Sequence, residues 1–400
     1  MIQNPMIQEP MSQESERTPA AGVWVNDVLA GQIVSRGGVN TFSYVDGYAE
    51  SGGAAVATTL PFGKVVETSS GALPPFFTGL LPEGRRLSAL RRSVKASLDD
   101  ELAMLLAVGG NTVGNVRVLP WGQRPSEVAP LVDVRDGYGD FADLLDPSTG
   151  FDANALAGVQ EKASARTLAL PVRGDAILKV APPEFPGVVE NENACLAAYR
   201  TMPSARGRVV EAQVVHDGSG RSGLVVSRFD GHFPHKRPVE DAAQLLGIYP
   251  SEKYNVSYED VCAAVLGVVA APLVAARGLA QQLAFAWLSG NGDLHAKNVS
   301  VMDSGRGFEL ASVYDIPSTV PYGDTSLALP VRDSTSGLSY KKFLAFAEGI
   351  GLPEQVVRKV ADEALAATAS LAERLIQDCD FDPRRARDLR RVLRARRAHW

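Results

Sequence analysis

The run Ser289–Val301, SGNGDLHAKNVSV, sets Asp293, His295, Lys297 and Asn298 within six residues, between a strongly apolar run and a β-like one. Polar groups at a junction of two core elements cost free energy unless they are partnered or used. Asp293 and Asn298 stand five positions apart, and Asp315 closes VSVM and FELASVYD, which read together as a hairpin. Phosphoryl transfer asks for such a set. One carboxylate accepts the proton of an attacking hydroxyl, while an amide and a second carboxylate hold magnesium against the phosphates. Asp-x-His alone also describes an ordinary turn with a solvated face; Asn298 and VYD make the combination specific. His295 reads either as the residue that orients this loop or as a satisfied core histidine. Lys297 reads either as a phosphate contact or as a solvated side chain.

Further groups could serve the same chemistry. Lys179 lies inside the apolar strand AILKVA, where an ammonium needs a partner. Glu192 on the following helix supplies one, and the pair could hold phosphates; the alternative is an edge strand with a snorkelling lysine. LAGVQEKAS (156–164) places Gly158 ahead of the first strand of this lobe, where backbone amides could cradle phosphate, although one glycine also suits a plain turn. In VVSRFDG the backbone of Ser227 and Phe229 could meet an adenine edge and Asp230 a ribose hydroxyl, or the segment is simply a linker. RRARDLRRVLRARRAHW carries eight arginines against one aspartate, which means a solvated face or a phosphate-rich partner such as DNA.

The elements that must position these groups fall into an α+β pattern. Residues 1–22 are polar, lack an apolar core and read as a disordered leader rather than a signal peptide. Residues 23–121 form a mixed subdomain. VWVNDVLAGQIV alternates around an Asn-Asp turn, ALPPFFTGLLPEGRRLSALRRSV enters a helix, SLDDELAMLLAVG is a second helix with Ser97 as its expected cap, and NVRVLPW returns to strand. A connector spans 122–150. Residues 151–230 form a β-rich lobe with one helix and a hairpin turning at Asp217–Gly220; another turn is expected at 173–175. Residues 231–400 form a helical lobe whose best helix, PLVAARGLAQQLAFAWLSG, is apolar on nearly every face. Over the 400 residues the net charge of -6 gives no general pull toward nucleic acid or membrane, and no apolar run is long enough to span a bilayer. Three scattered cysteines, Cys195, Cys262 and Cys379, fit a reducing cytoplasm.

VWVNDVLAGQI, FFTGLLPEGRR, LLAVGGNTVGNVRVLP, LAGVQEKAS, ILKVAP, NENACLAAYR, SRFDG, EDAAQLLGIYPSEKY, NGDLHAKNVSV and VYDIPST resemble, in order, blocks of the HipA family, the kinase toxins of HipBA-type toxin–antitoxin systems. The resemblance implies a protein kinase-like two-lobed fold with an additional N-terminal α/β subdomain, and ATP and Mg2+ as cofactors. It makes Asp293 the catalytic base, and Asn298 and Asp315 the metal ligands. Ala157, Gly158, Val159, Gln160, Glu161 and Lys162 become the phosphate loop, and Lys179 contacts the phosphates. Ser227 and Phe229 face the adenine, Asp230 the ribose, and His295 is counted with the nucleotide-binding residues. It further implies serine phosphorylation of a protein of the aminoacyl-tRNA synthetase class, with growth arrest or persistence. The partners implied are a HipB-like helix-turn-helix antitoxin and operator DNA, reached through that complex with help from the arginine-rich C-terminus. One position departs from the family: Ala155 stands where an autophosphorylated serine is often found, and Ser164 is a substitute for it. GDLHAKN also resembles the loop of aminoglycoside and choline kinases, which lack FFTGLLPEG. A small-molecule phosphotransferase and a catalytically silent co-repressor therefore stand as alternatives.

Overall fold

The computed structural model describes residues 20–94, 100–127, 140–141, 168–172, 176–181, 184–232 and 234–400. The leader up to residue 19, most of the connector, the 173–175 turn, the expected phosphate loop Ala157–Lys162, Ala155 and Ser164 lie outside them.

The N-terminal part is an antiparallel five-stranded sheet, ordered β4-β3-β2-β1-β5. β1 (Ala21–Val25) and β2 (Val28–Arg36) are joined by the expected Asn-Asp turn, in which Asn26 takes φ +54°, a conformation asparagine tolerates better than most residues. β3 (Val39–Tyr44), β4 (Val66–Thr68) and β5 (Val116–Pro120) complete the sheet. Its apolar face packs Ile33, Phe42 and Val118 against Phe76, Phe77 and Leu105. Those last residues come from α1 (Pro75–Thr78) and α3 (Glu101–Val108), with α2 (Gly84–Val94) between them. α3 is capped not by Ser97 but by Asp100, whose carboxylate accepts the Ala103 N–H at 3.0 Å. The helix begins later than its sequence suggests, and a short acidic side chain fits directly before it. Glu101 then accepts from the Leu73 N–H and the Thr78 hydroxyl, tying α3 to the entry of α1.

A second antiparallel sheet, ordered β6-β7-β9-β8, contains β6 (Leu168–Val172), β7 (Ala176–Val180), β8 (Ala212–His216) and β9 (Ser222–Ser227). The expected hairpin at Asp217–Gly220 joins β8 to β9, and the Asp217 carboxylate accepts the N–H groups of Ser219 and Arg221. β7 shows a strand's two-residue period: Leu178 and Val180 are buried, while Ile177 and Lys179 line a cleft. α4 (Val188–Arg200) packs against β8 and β9.

The helical part begins with β10 (Val239–Asp241), α5 (Ala242–Leu246) and α6 (Tyr258–Leu266). α7 (Pro272–Ser289) is buried almost continuously from Ala275 onward, as its all-round apolarity requires. β10 pairs with β11 (Ser300–Asp303), which pairs with β12 (Phe308–Leu310), the expected hairpin. α8 (Tyr340–Gly349), α9 (Glu354–Ala367), α10 (Leu371–Asp378) and α11 (Pro383–Ala398) finish the chain. This is an α+β, two-lobed arrangement with an added N-terminal subdomain. Among the described residues no helix is long and apolar enough to cross a membrane.

Candidate active site

α7 stops at Gly290, whose φ of +77° closes the helix with a left-handed cap. The loop that follows is pinned to the segment beyond Asp315. The Thr319 N–H donates to Gly290 O at 2.8 Å, and the Gly292 N–H donates to the Thr319 hydroxyl at 2.9 Å. A Cβ at Gly292 would lie 2.6 Å from Ser326 O and 2.7 Å from the Thr319 oxygen, so the close approach requires glycine. Within the loop, the Asn291 side chain accepts the Asp293 N–H at 2.8 Å, and the Asn298 amide reaches back to donate to Asp293 O at 2.8 Å. The five-residue spacing is therefore the span of one internal hydrogen bond. Asp293 is 1% exposed, and its Oδ1 accepts the Tyr254 hydroxyl at 3.0 Å.

His295 is neither of the two things its sequence suggests. It is buried, yet neither ring nitrogen has a hydrogen-bond partner among the described residues, and only its backbone ties the loop. Burial, reinforced by the Lys253 and Lys297 charges, holds its pKa well below the ordinary histidine value, so the ring is neutral. It lines the cleft edge-on to Tyr254, with ring centroids 5.0 Å apart.

Across the cleft Lys179 Nζ donates to both Glu192 oxygens, at 2.7 and 2.9 Å, and to Asp315 Oδ1 at 2.9 Å. The lysine is a bridge rather than a snorkelling edge residue. Burial pulls its pKa down, but the Asp315 and Glu192 charges outweigh that and raise it. Burial pushes Glu192 up, against the pull of Lys179. Asp315 has φ +55°, a left-handed conformation rare outside glycine; such strain persists only where the surroundings hold it. Asn298 and Asp315 line the same cleft and present oxygen donors, the chemistry magnesium prefers. Among the described residues no group of three or more His, Cys, Asp or Glu side chains could hold a metal.

Ser227, Phe229 and Asp230 also line this cleft. The Ser227 N–H is already given to Glu211 O at 2.8 Å, and the Phe229 ring stacks on Tyr314. Both Asp230 oxygens are engaged, Oδ1 by Arg228 Nε at 2.8 Å and Oδ2 by the Gly114 N–H at 2.9 Å, with Lys236 at 3.2 Å. Its carboxylate thus ties the interlobe segment to the N-terminal subdomain. Burial raises the Asp230 pKa, but the neighbouring Arg228 outweighs it and keeps the group ionised.

One wall of the cleft was not legible in the sequence. Gly79, Leu80, Glu83 and Val113 of the N-terminal subdomain line it beside Lys253. Glu83 Oε2 pairs with Lys253 Nζ at 2.7 Å. Lys297, expected at phosphate or in solvent, is instead buried. It pairs with Asp241 at 2.6 Å, donates to Gly79 O at 3.1 Å and stands 3.8 Å from Glu83. A Cβ at Gly79 would press on the Gln244 side chain at 3.0 Å, so the glycine of FFTGLLPEG allows this contact. The available signal was a lone acid in an apolar, proline-rich run and a lysine inside GIYPSEKY. The C-terminal arginines also divide. Arg396 is buried, donates to Trp287 O and Thr325 O, and lies 4.1 Å above the Trp287 ring, while Arg390 pairs with Glu373 at the surface. Part of the basic face is therefore spent on the fold.

Comparison with known proteins shows the family and the fold. The HipA N-terminal domain model matches residues 21–119, and the HipA-like C-terminal domain model matches residues 154–372. The chain is 30% identical over 395 residues to a Sinorhizobium fredii protein named "Putative kinase Y4mE", covering 89% of this chain and 91% of that one. It is 25% identical over 374 residues to the serine/threonine-protein kinase toxin HipA of Shewanella oneidensis, covering 83% and 84%. The solved Shewanella oneidensis MR-1 complex of HipA, HipB and operator DNA matches its fold with a TM-score of 0.72 at 21% identity, over 95% of this chain and 97% of that one. Both halves of the chain and nearly its whole length carry the likeness, and the protein belongs to the HipA family.

Proposed function

We propose that the protein is an ATP-dependent serine/threonine protein kinase and the toxin of a toxin–antitoxin pair. The observation that carries this reading is Lys179, held between Glu192 and Asp315 in the cleft that Asn298 and His295 also line. Asp293 takes the proton of the acceptor hydroxyl, whose oxygen attacks the γ-phosphorus while the bridging oxygen leaves with ADP. Lys179 steadies the α- and β-phosphates, and neutral His295 offers a ring N–H to a phosphate oxygen. Asn298 and Asp315 hold Mg2+, which neutralises phosphate charge when bound. Ser227 and Phe229 face the adenine. Asp230 sits at the ribose end, where its bonds to Arg228 and Gly114 suit it to shaping the pocket. The phosphate loop is assigned to Ala157–Lys162.

The protein target is of the aminoacyl-tRNA synthetase class, its modification arrests growth in the cytoplasm, and a HipB-like antitoxin carries the complex to operator DNA. The test is transfer of labelled phosphate from ATP with Mg2+ into proteins of a cell extract, followed by identification of the labelled species. Wild-type protein labels a synthetase and Asp293→Asn labels nothing. Undiminished labelling by Asp293→Asn would remove Asp293 from the mechanism.

A further inference from the structure

A kinase acceptor must bring its hydroxyl to the base carboxylate before the proton can move. One oxygen of that carboxylate is already taken. The phenol of Tyr254 donates to Asp293 Oδ1 at 3.0 Å, the same side-chain O–H to carboxylate bond that an acceptor serine forms. Tyr254 is half-buried while Asp293 is 1% exposed. It is held there from two sides. Its ring packs edge-on against His295, and the Lys253 ammonium, anchored by Glu83, lies 5.3 Å from its centroid.

A second cavity, of about 340 Å³, opens beside this contact. It is lined by Tyr254 and Gly292, the hydrogen-bond partner and the chain neighbour of Asp293, and by Tyr322, Asp324, Ser326 and Ala328 of the pinned segment. None of its lining residues borders the cleft that holds Lys179, Asn298 and Asp315. The two cavities thus meet the catalytic loop at different faces, one with the groups for a polyphosphate and the other with two tyrosines and a backbone trough. The trough is open and shallow in charge: the Asp324 carboxylate is turned to the Ser326 N–H and hydroxyl. That lining suits a length of peptide better than a small polar metabolite.

We infer that the cavity beside Tyr254 and Gly292 is the acceptor groove, that it takes a serine- or threonine-bearing peptide segment, and that Tyr254 is the gate the acceptor hydroxyl displaces from Asp293. The inference rests on Asp293 being the base. No bond is made to Tyr254: its O–H leaves the carboxylate, the acceptor O–H takes its place, and the phosphoryl group passes to the acceptor as described above.

Tyr254→Phe removes the hydroxyl and keeps the ring. In the full chain with ATP and Mg2+, hydrolysis to ADP, with water as acceptor, is expected to rise about ten-fold. With a degenerate mixture of serine-centred peptides as probe, KM for peptide is expected to fall several-fold while KM for ATP stays constant. Ala328→Arg, which crowds the groove and leaves the Tyr254 hydroxyl in place, is expected to lower the ratio of peptide transfer to hydrolysis more than ten-fold. Unchanged or lower hydrolysis in Tyr254→Phe overturns the gate. An unchanged transfer ratio in Ala328→Arg overturns the groove. If the wild-type chain shows no ATP binding by calorimetry, the kinase reading itself falls and takes this inference with it; ATP binding with either negative result sinks the inference alone.

Discussion

Lys179 and Lys297 are both cleft lysines held by carboxylates, but their surroundings differ in exposure and in charge. Around Lys179 stand Glu192 and Asp315, two carboxylates for one ammonium, and Lys179 and Asp315 remain 12% and 15% exposed to the cleft. Around Lys297 stand Asp241, Glu83 and Lys253, two carboxylates for two ammoniums, with Lys253 at 1%, Lys297 at 6% and Asp241 at 12% exposure, so charge balance separates the two clusters more than exposure does. A sealed cluster whose formal charges cancel has no demand left for a further ligand. An open cluster with one carboxylate more than it has ammoniums, one member held at a left-handed φ, keeps acceptor capacity facing the cleft. The same residue type thus bridges carboxylates of unequal number on one wall and of equal number on the other.

Lys179→Met tests the open cluster and carries the largest expected effect. Phosphate transfer per folded molecule, with the folded fraction read by far-UV circular dichroism, should fall by at least about 10²-fold, the usual result of deleting a charge that stabilises the transition state; stability falls as well, because the buried Glu192 loses its ammonium. A variant that unfolds but transfers normally in its folded fraction would make both lysines struts. Lys297→Met tests the sealed cluster in the opposite sense. It leaves Asp241 buried without its ammonium and should cost about 3–5 kcal/mol in urea denaturation. ATP affinity of the folded protein should stay within a few-fold, and a selective loss of ATP binding would place Lys297 among the phosphate ligands after all.

Glu240 sharpens the comparison through pH. It sits in the sealed wall, where it accepts the Thr58 N–H at 2.9 Å and the Thr58 hydroxyl at 2.8 Å. Burial pushes its pKa up from 4.5 to about 7, against those two bonds and with the help of the Asp241 charge. The folded chain therefore keeps a proton that the unfolded chain gives up between these values. The stability from this group is complete below pH 4.5 and is lost as pH rises toward 7, by roughly 3 kcal/mol. Urea midpoints at pH 5 and pH 7.5 should differ less in Glu240→Gln than in wild type. Equal differences would mean that Glu240 ionises normally in the fold.

What the sequence reveals of these walls follows from how local each signal is. Lys179 stood out because a strand's two-residue period leaves one cation among apolar neighbours, and a following helix offered Glu192. The loop around Asp293 and Asn298 was legible because its one long-range requirement, a second carboxylate, arrives after a single hairpin. Glu83 and Lys253 lie 170 residues apart, and nothing near either names the other. Lys297 misled for the same reason, since its partner Asp241 belongs to a strand 56 residues earlier. Asp230 was legible as a cleft residue, but the direction of its carboxylate depends on Gly114 in a different subdomain. Periodicity and spacing report elements and loops; the contacts of the N-terminal subdomain with the loop around Asp293 exist only once distant elements meet.

The arginines of α11 extend the contrast from the cleft to the surface and carry the smallest expected effects. Arg396 repeats the sealed case: it is 5% exposed, satisfies two backbone carbonyls and covers the Trp287 ring. Arg396→Met would strand the carbonyls of Trp287 and Thr325 and should lower stability by about 1–3 kcal/mol. Arg390 repeats the open case, because its pair with Glu373 at 2.6 Å leaves both side chains well exposed. Solvent screening and the entropy of two long side chains offset most of what such a pair gains. Arg390→Ala should therefore leave the urea midpoint unmoved at physiological salt. A clear loss would mean that exposure is the wrong measure of which charges hold this fold, and the contrast between Lys179 and Lys297 would have to rest on charge balance alone.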